Sequence, residues 1–144
     1  MSWSNLKDLT DVELYNCPKL TQIPEFVYDL PELQLLNVAC NKGISADQLT
    51  ADWKRLADDE DTGPKVQILY LGYNNLEKFP ESESLRKMVK LGLLDCVHNN
   101  VNHLEAFGTD VKLSDLMLSY NQIEEIPDEF CAFTDQVEGL GFSH

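Results

Sequence analysis

A short apolar pattern recurs along the whole chain and limits what the chain can fold into. Each copy has three leucine-like residues, with two variable residues before the second and one before the third. The clearest copies are VQILYLGYNNLEKFP at residues 66–80 and LSDLMLSYNQIEEIP at residues 113–127. Three further full copies and one partial copy begin at Leu9, Leu33, Leu91 and Val137. Recurrence of one unit indicates a solenoid, in which each unit buries its apolar face against the next.

The second leucine position gives one marker in each copy. The markers are Val12, Leu36, Leu69, Leu94, Leu116 and Leu140, which are 24, 33, 25, 22 and 24 residues apart. Four of these five spacings lie within the roughly 20–29 residues of a leucine-rich repeat. Over residues 6–144 the pattern resembles the leucine-rich repeat family. The resemblance implies an α/β fold, a right-handed horseshoe solenoid with a parallel concave sheet and short helices or turns on the convex side.

The copy number and spacing also predict how the chain is organised. We expect a single domain over residues 1–144, with about five and a half repeats. The 33-residue spacing predicts a helical insertion at about residues 45–64. The sixth copy stops at His144, one residue before its Asn, so we expect an array that is truncated at its C-terminus. The resemblance implies a fragment of a larger bacterial secreted or surface protein.

The insertion starts with a pattern typical of a helix N-terminus. Ser45 and Gln48 have the spacing of a capping box, and three apolar residues follow at helical intervals. These residues are Leu49, Trp53 and Leu56. We expect the helix to pack on the convex flank with Trp53 as its anchor, and residues 58–64 to form an exposed acidic loop. The four acids at 58–61 lack the ligand spacing of an EF-hand, so we favour a solvated loop over a calcium site.

The other convex segments are shorter. Residues 24–30 and 127–133 are long enough only for single turns. Residues 84–90 predict a second helix, whose inward side chains are Leu85, Met88 and Val89.

The resemblance also assigns a structural role to the residue at which each copy leaves its strand. In the family this residue is a buried Asn, whose side-chain amide bonds backbone groups of adjacent turns. The matching residues here are Asn41, Asn74, Asn99 and Asn121, with Cys17 in the same column. We expect Cys17 to be structural, because a thiol is a small, weak donor that tolerates burial.

The net charge restricts the partners. The chain has 25 Asp and Glu against 11 Lys and Arg, a formal charge of −14, which repels phosphate backbones and anionic lipid surfaces. We therefore expect no nucleic acid partner, and a basic partner surface would associate faster. No apolar run reaches the roughly 18 residues of a membrane-spanning helix, so we expect no membrane insertion within this chain. The four cysteines are far apart in sequence, which favours free thiols and predicts neither a metal site nor a cofactor.

The alternation of side chains along a strand predicts which residues face the concave side. The residues between the leucine positions point outward and form columns across the repeats. These columns bring exposed aromatic and aliphatic side chains together, which is typical of a contact surface. We predict a binding surface for a protein or peptide ligand at Tyr15, Asn37, Ile68, Tyr70, Tyr73, Asp95, His98, Met117 and Tyr120. The small Ala39 and Gly72 leave room beside the aromatic residues.

Three further alternatives concern the same face. A catalytic group of Asp95, His98 and Ser119 or Cys40 is disfavoured, because an open sheet lacks a closed pocket and an oxyanion site, so we expect no enzyme and no catalytic residues. The chain can also serve as a structural spacer or stacking segment of a long surface protein, or bind carbohydrate through its tyrosines.

Two expectations remain, one about self-association and one about the cellular compartment. The partial sixth repeat leaves an apolar edge, and self-association through that open C-terminal repeat is the expected consequence. The residues themselves leave the compartment unknown, and the resemblance alone favours an extracellular or cell-surface location.

Overall fold

Short parallel strands form one sheet in a computed structural model, which describes residues 4–60, 62, 65–106, 110–130 and 137–143. Within these residues there are six strands of three residues each: β1 (Asp11–Glu13), β2 (Leu35–Asn37), β3 (Ile68–Tyr70), β4 (Leu93–Asp95), β5 (Asp115–Met117) and β6 (Gly139–Gly141). Their order in the sheet is their order in the chain, and each pairs with the next in parallel. The predicted right-handed horseshoe with a parallel concave sheet is confirmed.

The middle residue of each strand points into the core. Val12, Leu36, Leu69, Leu94 and Leu116 align in register and are almost completely buried. Leu140 takes the same position in β6 but is 42% exposed. The reason is its position, since in the described part of the chain no strand follows β6 to cover it.

The predicted helical insertion forms helix α1 (Ala46–Asp58). Its buried side chains include Leu49, Trp53 and Leu56, as the helical spacing predicts. The Ser45 side chain accepts the Gln48 N–H at 3.2 Å, but the second half of the predicted capping box is wrong. The Gln48 side chain instead donates to Asp52 Oδ1 at 2.8 Å, because this buried carboxylate needs a donor.

Asp52 connects α1 to the rest of the solenoid. It is buried, and its Oδ2 atom accepts the backbone N–H of Ile23 at 2.8 Å. Arg55, one turn further along, forms hydrogen bonds to both carboxylate oxygens of Glu25 and lies 3.9 Å from the ring centroid of Tyr28. The helix is therefore attached to the short 3₁₀ helix at Glu25–Asp29, which confirms the single turn expected in that segment.

The loop after α1 differs from the exposed acidic loop that we predicted. Thr62 is fully buried, because its hydroxyl donates to the Tyr28 carbonyl at 3.0 Å and its N–H donates to Asp59 Oδ1 at 2.7 Å. Asp58 is exposed and pairs with Lys87 at 2.5 Å. Glu60 is exposed as predicted, and Asp61, Gly63 and Pro64 lie outside the described residues.

The second helix, α2 (Ser82–Lys87), is shorter and starts earlier than predicted. Leu85 and Met88 are buried as expected, but the inward placement of Val89 is wrong, since 66% of its surface is exposed. The helix ends at Lys87, so Val89 no longer follows the helical period that predicted its direction. In the other short segment, residues 128–130 form a 3₁₀ turn, and residues 131–133 lie outside the described residues.

Asn41, Asn74, Asn99 and Asn121 form the hydrogen-bonded column that the resemblance implies. The first three are buried as expected, whereas Asn121 is only partly buried. Each side-chain amide donates to at least one carbonyl in its own repeat and to one in the preceding repeat, while its oxygen accepts a backbone N–H from the preceding repeat. For Asn74 the acceptors are Leu71 O and Val38 O, both at 3.0 Å, and the donor is Asn41 N at 2.7 Å. These bonds fasten successive repeats together.

Three of the cysteines, Cys17, Cys40 and Cys96, carry free thiols, and Cys131 lies outside the described residues. Neither described helix has the length and apolar composition that a membrane crossing requires.

Candidate binding surface

The register of the sheet defines the concave columns. Ile68 lies between Leu35 and Leu93 in one column. In the next column, Asn37, Tyr70, Asp95 and Met117 follow one another across β2 to β5. The columns derived from the repeat pattern are therefore the columns of the structure.

Three residues after each of strands β1 to β5, the concave face has a residue with an uncommon backbone conformation. There the backbone enters the left-handed region, with φ between 52° and 61°, at Asn16, Cys40, Tyr73, His98 and Tyr120. This conformation costs an ordinary L-residue about 1–2 kcal/mol, and Asn tolerates it better than Tyr does. The repeat geometry requires a left-handed residue at this point, and two of the five positions hold a costly tyrosine.

These left-handed residues bring three aromatic rings into contact. The His98 ring stacks on Tyr73 with centroids 4.2 Å apart and planes 16° apart, and on Tyr120 with centroids 4.1 Å apart and planes 11° apart. We call Tyr73, His98 and Tyr120 the aromatic ladder. Tyr73 and Tyr120 remain 46% and 50% exposed, so the ladder has a large surface available for contact.

A hollow lies beside the ladder. It has a volume of about 490 Å³ and is lined by Tyr15, Asn37, Ala39, Cys40, Tyr70, Gly72, Tyr73 and Asp95. Gly72 cannot easily be replaced, since a Cβ there would lie 3.1 Å from Cγ2 of Val97 and 3.3 Å from its carbonyl oxygen. The small residues Ala39 and Gly72 therefore keep the hollow open, as the sequence predicted.

Two polar groups in the hollow have shifted proton affinities. Burial raises the pKa of the Asp95 carboxyl above its ordinary value, although the N–H of Val97, which Asp95 Oδ1 accepts at 2.9 Å, and the nearby His98 oppose this effect. A hydrogen bond with Cys40 raises the pKa of the Tyr15 hydroxyl. Asp95 is thus a carboxylate that has lost part of its hydration.

The structure divides the nine predicted site residues into three sets. Tyr73, His98 and Tyr120 form the ladder. Tyr15, Asn37, Tyr70 and Asp95 meet Tyr73 around the hollow. Ile68 and Met117 lie in the concave columns outside both groups. The stacking of the ladder and the strained backbone beneath it were not predicted, although the recurrence of Tyr, His and Tyr in one column was visible in the sequence.

Asp95 and His98, which were considered for catalysis, make contacts that differ from those of a catalytic triad. The Asp95 carboxylate bonds the Val97 N–H, and the His98 ring lies between two tyrosine rings. In a catalytic triad, the acid would orient the histidine and the histidine would reach a nucleophile. Asp95 and His98 instead make contacts that shape the surface.

Comparison with known proteins identifies the family. The sequence model of the Leucine Rich Repeat family matches residues 112–133. A solved structure of a leucine-rich repeat protein from Bacteroides thetaiotaomicron is 82% identical, covers 99% of this chain and superposes with a TM-score of 0.87. The chain is a leucine-rich repeat protein. A second leucine-rich repeat protein, from Bacteroides eggerthii, is 60% identical over 97% of the chain, with a TM-score of 0.85.

The leucine-rich repeat chain spans only part of these relatives, 17% of the first and 23% of the second. The functional domain of InlJ from Listeria monocytogenes, at 20% identity and a TM-score of 0.60, covers 92% of this chain and shares the fold, and the chain covers 25% of it. No curated protein matches the sequence. Leucine-rich repeat folds are in general protein-interaction modules, and they are typically non-enzymatic recognition or scaffold units.

Proposed function

We propose that residues 1–144 act as one recognition unit, which binds a protein or peptide ligand on the concave face with the aromatic ladder at its centre. The observation that supports this most strongly is the continuous stack of Tyr73, His98 and Tyr120, whose outer rings stay about half exposed. Stacked rings are rigid and offer large contact area with a polar tip, so little side-chain entropy is lost on binding.

The backbone beneath the ladder supports the same proposal. Tyr73 and Tyr120 have φ values of 56° and 59°, where Asn or Gly would be more favourable. Bulky residues in a strained conformation cluster at functional sites, where the strain is offset by the surrounding structure. A spacer without a ligand has no need of these tyrosines, so the strain favours recognition over the structural alternative.

The arrangement of the rings favours a protein ligand over a carbohydrate. Sugars attach mainly to the electron-rich face of an aromatic ring. In the ladder, both faces of His98 and one face of each tyrosine are covered by stacking. What remains accessible is one face, the ring edge and the hydroxyl of each tyrosine, which together suit the mixed apolar and polar surface of a peptide.

A displayed library of random peptides tests the proposal. Peptides are selected on the natural chain and then measured on the double variant Tyr73→Ala, Tyr120→Ala and on the control Val89→Ala, which removes a more exposed apolar group from the convex side. We expect the selected peptides to lose at least tenfold in affinity on the double variant, about 1.4 kcal/mol, and to be unchanged on the control. Equal binding to the double variant, or a library without binders, would favour the spacer.

Two further points belong to this proposal. The family resemblance supports an extracellular or cell-surface location, which protease treatment of intact producing cells would test, since an internal protein would survive it.

The exposed Leu140, Phe142 and Ile126 near β6 support self-association with a second copy. Sedimentation across a concentration series should then show a dimer that Leu140→Asp abolishes, and a natural chain that stays monomeric at high concentration would contradict this.

A further inference from the structure

The hollow beside the aromatic ladder combines aromatic walls with a single carboxylate. Tyr15, Tyr70 and Tyr73 line it together with Asp95, whose carboxylate is half-buried. The Tyr15 side chain lies beside Cys40 in this lining and is exposed to solvent. Oδ1 of Asp95 is fixed by the Val97 N–H at 2.9 Å, so the carboxylate cannot turn away from the hollow at low cost. Aromatic faces and a partly desolvated carboxylate are the two groups that recognise an organic cation.

The charge of the whole face points in the same direction. The strands and the three residues that follow each of them contain no Lys or Arg. The same segments contain four acids, Asp11, Glu13, Asp95 and Asp115. Among the described residues, the one basic group that affects the pKa of Asp95 is His98, whose ring is stacked between two tyrosine rings. Within these concave segments, a cation from a ligand would therefore meet no competing Lys or Arg side chain.

We propose that the hollow is a subsite for a cationic side chain of the ligand, an arginine in preference to a lysine. The assignment rests on the proposed function, because it names the ligand group that the concave face would select. A guanidinium is planar and weakly hydrated, so it stacks on a tyrosine ring while it forms charge-assisted hydrogen bonds to a carboxylate. The volume of about 490 Å³ also leaves room for the peptide backbone on either side of the arginine.

The probe is the peptide acetyl-Gly-Arg-Gly-amide, and its control contains citrulline, the neutral isostere of arginine. Each is titrated into the ¹⁵N-labelled 144-residue chain, and the amide resonances of Ala39, Gly72 and Val97 report on the hollow. We expect the arginine peptide to shift these resonances with a Kd in the millimolar range, and the citrulline peptide to bind about tenfold more weakly. Asp95→Asn should reduce arginine binding to the citrulline level, whereas the matched Asp115→Asn should change it by less than about twofold.

Three outcomes would overturn the subsite. They are equal binding of the two peptides, an equal loss in Asp95→Asn and Asp115→Asn, and absence of shifts up to roughly 10 mM peptide. The folding of Asp95→Asn is protected, because Asn37 in the same column already makes the same bond, to the Ala39 N–H at 3.0 Å. If library-selected peptides still require Tyr73 and Tyr120 while citrulline equals arginine, the recognition surface stands and only the cation subsite fails.

Discussion

The concave and convex sides of the horseshoe carry their charges differently. Six ion pairs occur among the described residues, and all of them join side chains outside the strands, such as Lys54 with Glu81 at 3.0 Å and Lys65 with Glu32 at 2.9 Å. The concave segments hold four acids and neither Lys nor Arg. On the convex side, part of the charge is paired within the chain, whereas the concave acids have no Lys or Arg in their own segments and remain available to a ligand.

The two sides also differ in regularity. Each concave segment contains a three-residue strand, and a left-handed residue follows each of strands β1 to β5 three residues later. The convex segments include α1 with 13 residues, α2 with six, and a 3₁₀ helix with five. Sheet pairing therefore fixes the concave geometry, whereas the convex segments can differ in type and length as long as they bury their apolar residues.

The largest expected effect is at the boundary between the two sides. Asn74→Ala removes three hydrogen bonds and leaves the buried N–H of Asn41 without an acceptor. The carbonyls of Val38 and Leu71 still accept hydrogen bonds from the side-chain amides of Asn41 and Asn99. We expect a loss of about 3 kcal/mol in the free energy of unfolding, and a melting temperature lower by roughly 10 °C. Thermal and urea denaturation measure both.

The control for this change is Asn100→Ala, which removes an exposed amide next to Asn99. It should change the free energy of unfolding by less than about 0.5 kcal/mol. If both variants melt like the natural chain, the asparagine column does not hold the repeats together, and the two sides of the solenoid are joined by apolar packing alone.

A smaller effect is expected where α1 meets the solenoid. Asp52→Ala leaves the buried N–H of Ile23 without its acceptor at 2.8 Å, which should cost about 2 kcal/mol in urea denaturation. Lys54→Ala in the same helix breaks the exposed pair with Glu81 and should cost less than about 1 kcal/mol. Equal losses would show that convex ion pairs contribute as much as buried bonds, and this would weaken the contrast between the two sides.

The periodic part of the molecule could be predicted from the sequence, and the aperiodic part could not. Strand alternation is enough to place Ile68, Tyr70 and Asp95 in their columns, because each repeat imposes the same geometry. The directions of Val89 and Thr62 were wrong, because each depends on where a convex segment ends and which carbonyl lies nearby. Such tertiary contacts leave no period in the sequence.

The aromatic ladder is an intermediate case. Neighbouring strands are about 4.8 Å apart, close to the distance at which aromatic rings stack. The succession of Tyr73, His98 and Tyr120 in one column was therefore sufficient to predict contact between the rings. The centroid distances of 4.2 and 4.1 Å depend in addition on the left-handed backbone, which the sequence did not reveal because Tyr is uncommon in that conformation.

The smallest expected effect is that of Asp95→Asn on the free energy of unfolding, and its sign shows whether this concave carboxylate stabilises the fold. Burial raises the pKa of Asp95, so between its ordinary value and this raised value the folded chain binds more protons than the unfolded chain. The free energy of unfolding therefore falls as pH rises through that interval, and the cost is complete above it. We expect Asp95→Asn to be more stable than the natural chain at pH 7, by less than about 1 kcal/mol because solvent screens part of the charge.

Urea denaturation at pH 7 and at about pH 3 checks this sign, since protonation of the natural carboxyl in acid should remove most of the advantage of the variant. The reverse substitution, Asn37→Asp, places a second carboxylate in the same column and should lower stability at pH 7 only. A variant Asp95→Asn that is less stable at pH 7 would mean that the carboxylate stabilises the fold. Asp95 would then resemble the paired charges of the convex side. Its carboxylate would not lower the stability of the fold, and on this ground it would no longer support a role in ligand binding.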